Sequence, residues 1–111
     1  MNAAQERLLD REKLDENTMS NAELQRELFV LFFDQVPVYI DQLDEAAQSG
    51  DTDAWKQAAH GVKGSARALG FVRVAALSRE AELLGPDAAI VETLREAVEA
   101  TRSVVGEPVA A

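Results

Sequence analysis

Cysteine is absent from this 111-residue sequence, so neither a disulfide framework nor a thiolate metal site can form. That fits a reducing compartment. No apolar run approaches the roughly 18 residues that cross a bilayer. The start, Met1 to Arg7, is polar and lacks the apolar core of a signal peptide. These absences give a cytoplasmic expectation. Glycine, proline and β-branched residues are sparse while Ala, Leu and Glu are abundant, which favours helices. Strand-like alternation with turn punctuation is missing throughout. There is a single histidine, His60.

What is present fits one globular domain: 47% apolar and 28% charged residues, on a chain long enough for one core. Net charge is −9, which repels nucleic acid and anionic lipid and argues against both as partners. The charge is unevenly distributed. Ala54 to Arg79 holds no acidic residue, while Lys56, Lys63, Arg67, Arg73 and Arg79 give it +5. The remaining 6 basic and 20 acidic residues amount to −14. The positive segment contains His60.

Periodicity predicts a short first helix over about Gln5–Asn17, and Ser20 to Glu23 reads as a capping box for a long second one. Phe29, Phe32, Phe33, Val36, Ile40, Leu43 and Ala47 form its apolar stripe. Pro37 is expected to kink it and Gly50 to end it. Asp51 or Thr52 caps the next helix, whose stripe is Trp55, Ala58, Ala59, Val62, Ala66 and Leu69, with Gly70 as the stop. The following helix, Val72 to Leu84, carries two apolar faces: Val74, Leu77, Ala81 and Leu84 on one, and Val72, Ala76 and Leu83 on the other. Gly85-Pro86 opens the last helix with Pro86 in its first turn, and Ile90, Leu94, Ala97, Val98, Thr101 and Val105 line it. Short loops make consecutive helices antiparallel. The expected fold is all-α, an up-down four-helix bundle with a short extra N-terminal helix. It would be one domain over 1–111, with its core over about 9–105 and a frayed tail over 106–111.

At roughly 100° per residue, His60 lies roughly 150° from the apolar stripe of its helix, and Lys56, Lys63 and Arg67 fall within about 60° of it. The spacing predicts one exposed cationic ridge. Gly61 and Gly64 each cost about 1 kcal/mol relative to Ala in a helix interior. Gly64 is one turn beyond His60 and removes bulk beside the imidazole. Near neutral pH an exposed imidazole is largely unprotonated and nucleophilic. Phosphoryl transfer asks mainly for positioning and positive charge, which Lys63 can supply. Each feature also has a plainer account: a solvated histidine, a solvated basic face, and a glycine at a helix contact, as Gly61 could be. Their meeting on one face favours the chemical account.

Other chemistries fail on spacing. A metal site lacks ligands, and the Glu-x-x-His pattern of di-iron bundles meets Gln57 instead. Ser65 is about 140° round the helix from His60, so no Ser–His pair forms within it. Lys63-Gly64-Ser65 lacks the preceding glycine and strand of a phosphate loop, so no ATP site is visible.

The stretch Ala59-His60-Gly61-Val62-Lys63-Gly64-Ser65-Ala66, followed by Leu69-Gly70, resembles the signature of histidine-containing phosphotransfer (HPt) domains. That pattern is A-H-x-L-K-G-[SA]-A followed by an apolar residue and Gly, and Val62 stands in place of its usual Leu. The resemblance extends through Leu28-Phe29, Phe33, Pro37-Val38-Tyr39, Leu43, Gly50-Asp51 and Trp55, and covers about Leu9 to Leu84. It implies that His60 is phosphorylated, that Lys63 steadies the phosphoryl group and that Gly64 admits the partner. Glu82, 22 residues after His60, matches a position where members place Gln or Glu to orient the imidazole, although a merely solvated glutamate is the competing account. The docking surface would comprise Gln57, His60, Gly61, Lys63, Gly64 and Arg67, helped by Arg73 and by apolar residues of the first helix. The implied partners are response-regulator receiver domains and a hybrid histidine kinase. The receiver would bring the Mg²⁺, so no cofactor is expected on this chain. The resulting expectation is a monomeric phosphorelay carrier without ATP-dependent activity of its own. Two rivals stand beside it: a non-catalytic helical adaptor that binds through the basic ridge, and the phosphoacceptor module of a larger kinase. The start at Met1 points towards a free-standing protein.

Overall fold

A computed structural model describes residues 2–106. The expected frayed tail lies outside the described residues apart from Gly106. The described residues form six helices and no strand: α1 Ala3–Glu6, α2 Arg11–Thr18, α3 Ala22–Ser49, α4 Thr52–Ala68, α5 Val72–Leu84 and α6 Ala88–Val105. None of them is long and apolar enough to cross a membrane.

The N-terminal helix expected over Gln5–Asn17 is two helices. Leu8 to Asp10 leave helical conformation, and Asp10 caps α2 by accepting the Lys13 amide at 3.0 Å. This Asp competes with helix continuation because its side chain offers the amides a partner. The capping box at Ser20 is not formed either. Met19 and Ser20 both have positive φ, whereas a cap needs extended backbone. Asn21 caps α3 instead, accepting the Leu24 amide at 3.0 Å.

α3 is continuous through Pro37 for 28 residues and ends on Gly50, whose φ of 72° is the left-handed conformation glycine tolerates. Its predicted stripe is buried, with Ala46 rather than Ala47 completing it. α3 packs against α4 and α6, and α5 packs against the same two helices. α2 lies across α3 and α4 and contributes Leu14 to the core, with Leu9 preceding it.

α5 occupies the predicted span, but only one of its predicted faces is buried. Val74, Leu77, Ser78 and Ala81 face the core, while Val72, Ala76, Leu83 and Leu84 are exposed. Although α5 has both α4 and α6 as neighbours, neither covers these four residues. Pro86 does not start α6. Asp87 does, accepting the Ala89 amide at 2.8 Å, because a side-chain acceptor satisfies an end that proline merely tolerates.

Three features tie the elements together. Phe71, which precedes α5 and is fully buried, stacks among Phe29, Phe32 and Phe33 with ring centroids 4.9–5.8 Å away. Trp55 is fully buried on α4, and its Nε1–H donates to the Ala81 carbonyl of α5 at 2.7 Å. Gln25 is buried at the start of α3 and donates to Asp15 at 3.0 Å and Thr18 at 2.9 Å, both in α2. Among the described residues no buried side-chain polar atom lacks a partner.

Candidate functional site

α4 is positioned by its start and its stripe. Asp51 caps it, accepting the Ala54 amide at 3.1 Å. Trp55, Ala58, Ala59, Val62 and Ala66 bury one side, which turns position 60 outward. The His60 side chain is 70% exposed.

The predicted cationic ridge is only partly a ridge. Lys56, His60 and Arg67 are exposed, but the Lys63 side chain is 17% exposed. Lys63 lies across the groove to α5, where its Nζ donates to Glu82 at 2.6 Å. A lysine stem lies readily on apolar surface when its ammonium finds a carboxylate. The other oxygen of Glu82 lies 3.3 Å from His60 Nδ1. One carboxylate from α5 therefore meets both α4 side chains.

The hydrogen bond from Lys63 holds the Glu82 carboxyl below its ordinary value. Partial desolvation opposes this, and the charge of Lys63 and the contact with His60 reinforce it. Glu82 is thus ionised at neutral pH and can only accept. For the 3.3 Å contact to be a hydrogen bond, Nδ1 must carry the proton. The neutral imidazole then has its lone pair on Nε2, the nitrogen that does not meet Glu82.

The two glycines have different causes. A Cβ on Gly61 would stand 2.9 Å from the Tyr39 ring, so Gly61 lets α3 and α4 approach closely. A Cβ on Gly64 would meet nothing within 4 Å, so no contact inside the chain requires glycine there. The space beside His60 is open.

Of the other predicted residues, Gln57 is exposed on the turn before His60, and Arg67 is exposed two turns beyond it. Arg73 is exposed near the start of α5, about 13 Å along the helix from Glu82, and the structure does not bring it to the imidazole. Sequence reasoning missed the Lys63–Glu82 pair. The signal available was position: Glu82 follows Ala81, the last buried residue of α5, on the side where α5 meets α4. Among the described residues no cluster of three or more His, Cys, Asp or Glu could hold a metal ion.

A family model described as Hpt domain matches residues 27–104, more than half of the chain. No curated protein and no solved structure matches the chain.

Proposed function

We propose, since this chain belongs to the Hpt domain family, that it carries a phosphoryl group on His60 between the aspartates of receiver domains. Members of that family act in histidine phosphotransfer with receiver domains and kinases. The observation that carries the reading is the imidazole itself: exposed, bordered by open space at Gly64, and presented on its Nδ1 side to an ionised Glu82. On this account all 111 residues work as one unit, with α3 to α6 alternating in direction as their short loops suggest.

The transfer is an in-line displacement. The Nε2 lone pair of His60 attacks the phosphorus of a receiver's aspartyl phosphate. The bond from phosphorus to the carboxylate oxygen breaks, and the carboxylate leaves with the electron pair. The imidazole becomes cationic, and Glu82 favours that charge through the Nδ1 proton. Lys63, which shares Glu82 with His60, would supply positive charge to the phosphoryl oxygens by turning from that carboxylate. A second receiver's carboxylate then attacks the phosphorus, and the bond to Nε2 breaks with its electrons returning to the ring. A Mg²⁺ held by the receiver, rather than by this chain, would supply further charge to the oxygens.

The test is to incubate the chain with a Mg²⁺-loaded receiver bearing labelled phosphate. The expected label on the chain is acid-labile and base-stable, and it is lost in a folded His60→Gln variant. Label persisting on His60→Gln overturns the assignment. Lys63→Ala is expected to slow transfer, and unchanged kinetics remove its role.

A further inference from the structure

Four of the eleven Lys and Arg side chains have a carboxylate partner among the described residues. Arg11 pairs with Asp15, Lys63 with Glu82, Arg95 with Asp41 and Arg102 with Glu99. Lys13, Arg67 and Arg79 are among the seven that form no ion pair among the described residues, and they differ from the other four in sharing one site. All three line one open groove of about 430 Å³ where α2, α4 and α5 converge. The one carboxylate on that rim, Asp10, accepts the Lys13 backbone amide at 3.0 Å and offsets one of the three positive charges. The apolar wall includes Val72, which is 38% exposed, and Ala76. The groove thus sets three cations against one carboxylate beside an uncovered apolar strip.

Its position relates it to His60. Arg67 lies about 10 Å along α4 from His60, and Arg79 about one turn along α5 from Glu82. A partner covering His60 with an ordinary footprint of about 800 Å² per side extends roughly 16 Å from the centre. It therefore reaches the groove. The charge of −14 carried outside Ala54–Arg79 repels an extended polyanion such as nucleic acid or an anionic membrane. A folded partner that presents a few carboxylates beside apolar groups escapes that repulsion. The family match begins at residue 27, so α2 and Lys13 lie outside it.

We propose that this groove is a selectivity site, in which Lys13, Arg67 and Arg79 take an acidic, partly apolar segment of the receiver that exchanges phosphate with His60. The proposal rests on the phosphorelay reading for its partner, while the groove's taste for carboxylates can be measured separately. The groove sets which receiver docks and how well, and the chemistry stays with His60.

Two measurements test it. The first follows amide shifts of the ¹⁵N-labelled chain during titration with a synthetic Glu/Leu amphipathic peptide. Shifts should concentrate at Lys13 and at Gly70 to Ala76, and weaken about tenfold in apparent affinity in Lys13→Glu/Arg79→Glu. Shifts spread elsewhere, or a groove filled by duplex DNA or anionic vesicles in preference to the peptide, overturn the proposal whatever His60 does. The second uses the receiver that discharges the wild-type phosphohistidine fastest in a panel. In Lys13→Glu/Arg79→Glu the receiver concentration for half-maximal rate should rise about tenfold, with the saturating rate within twofold and weaker salt dependence. An unchanged half-saturation concentration overturns the selectivity site with the phosphorelay reading intact. Absence of any phosphohistidine, with the peptide still in the groove, overturns the phosphorelay reading alone.

Discussion

Lys63 and Glu82 join α4 to α5 through a 2.6 Å ion pair, and the same carboxylate faces His60. One acid thus serves both a contact between helices and the Nδ1 side of the imidazole.

Its pH dependence follows from the lowered Glu82 carboxyl. A group whose folded value is depressed contributes stability above its unfolded value, here 4.5, and loses it as pH falls through the folded value. Wild type should therefore be more stable than Glu82→Gln at neutral pH, and the gap should close below about pH 4.5. Thermal melts of both proteins from pH 7 to pH 3 check this, and a gap that is constant over that range counts against the ion pair.

The two helix glycines should respond in opposite ways. Gly64→Ala meets no obstacle and should stabilise the chain by about 1 kcal/mol through helix propensity. If transfer needs the space beside His60, the same variant slows phosphate exchange. Gly61→Ala must displace Tyr39, so the propensity gain should be offset in wild type and recovered in a Tyr39→Ala background. Urea unfolding of the four-protein cycle reads the coupling, and a zero interaction energy would show that the ring yields freely.

Gly70 tolerates no side chain. Its φ is +71°, and an added Cβ would collide with the Asp10 carbonyl oxygen. Its own carbonyl accepts the Asp10 amide at 2.8 Å. Gly70→Ala should cost at least about 2 kcal/mol. It should also raise hydrogen exchange in α2 before the rest of the chain. Uniform exchange would show that α2 is not the element released.

Trp55→Phe removes a buried donor to the Ala81 carbonyl and leaves a small void. That carbonyl still accepts the Gly85 amide at 3.1 Å, so it is not stranded. A loss of roughly 1–3 kcal/mol in chemical denaturation is expected. A loss below 0.5 kcal/mol would mean that the bond contributes nothing net.

The regular parts of this chain were legible because apolar spacing and glycine stops speak locally. The stripe of Trp55, Ala58, Ala59, Val62 and Ala66 and the span Val72–Leu84 are read from three- and four-residue steps alone. Phe71 was invisible to that method. It lies between two helices, where no period applies, yet it centres the aromatic cluster. The starts of helices were misread at Ser20 and Pro86 because several capping residues compete within two positions, and backbone dihedrals set by the preceding turn decide among them. At the site, helical phase turned His60 outward and left Gly64 bare. It could not bring Lys63 to Glu82, which depends on how far apart two helices sit.

Gln25 fixes more than a contact between α2 and α3. Its amide nitrogen spends both hydrogens, one on Asp15 and one on Thr18, and Thr18 in turn donates to the Leu14 carbonyl at 2.7 Å. Leucines alone would let α2 slide by a turn and still bury a similar area. Sliding would strand this amide, so the arrangement works as a notch that admits a single register and discourages the near-miss packings open to an all-apolar seam.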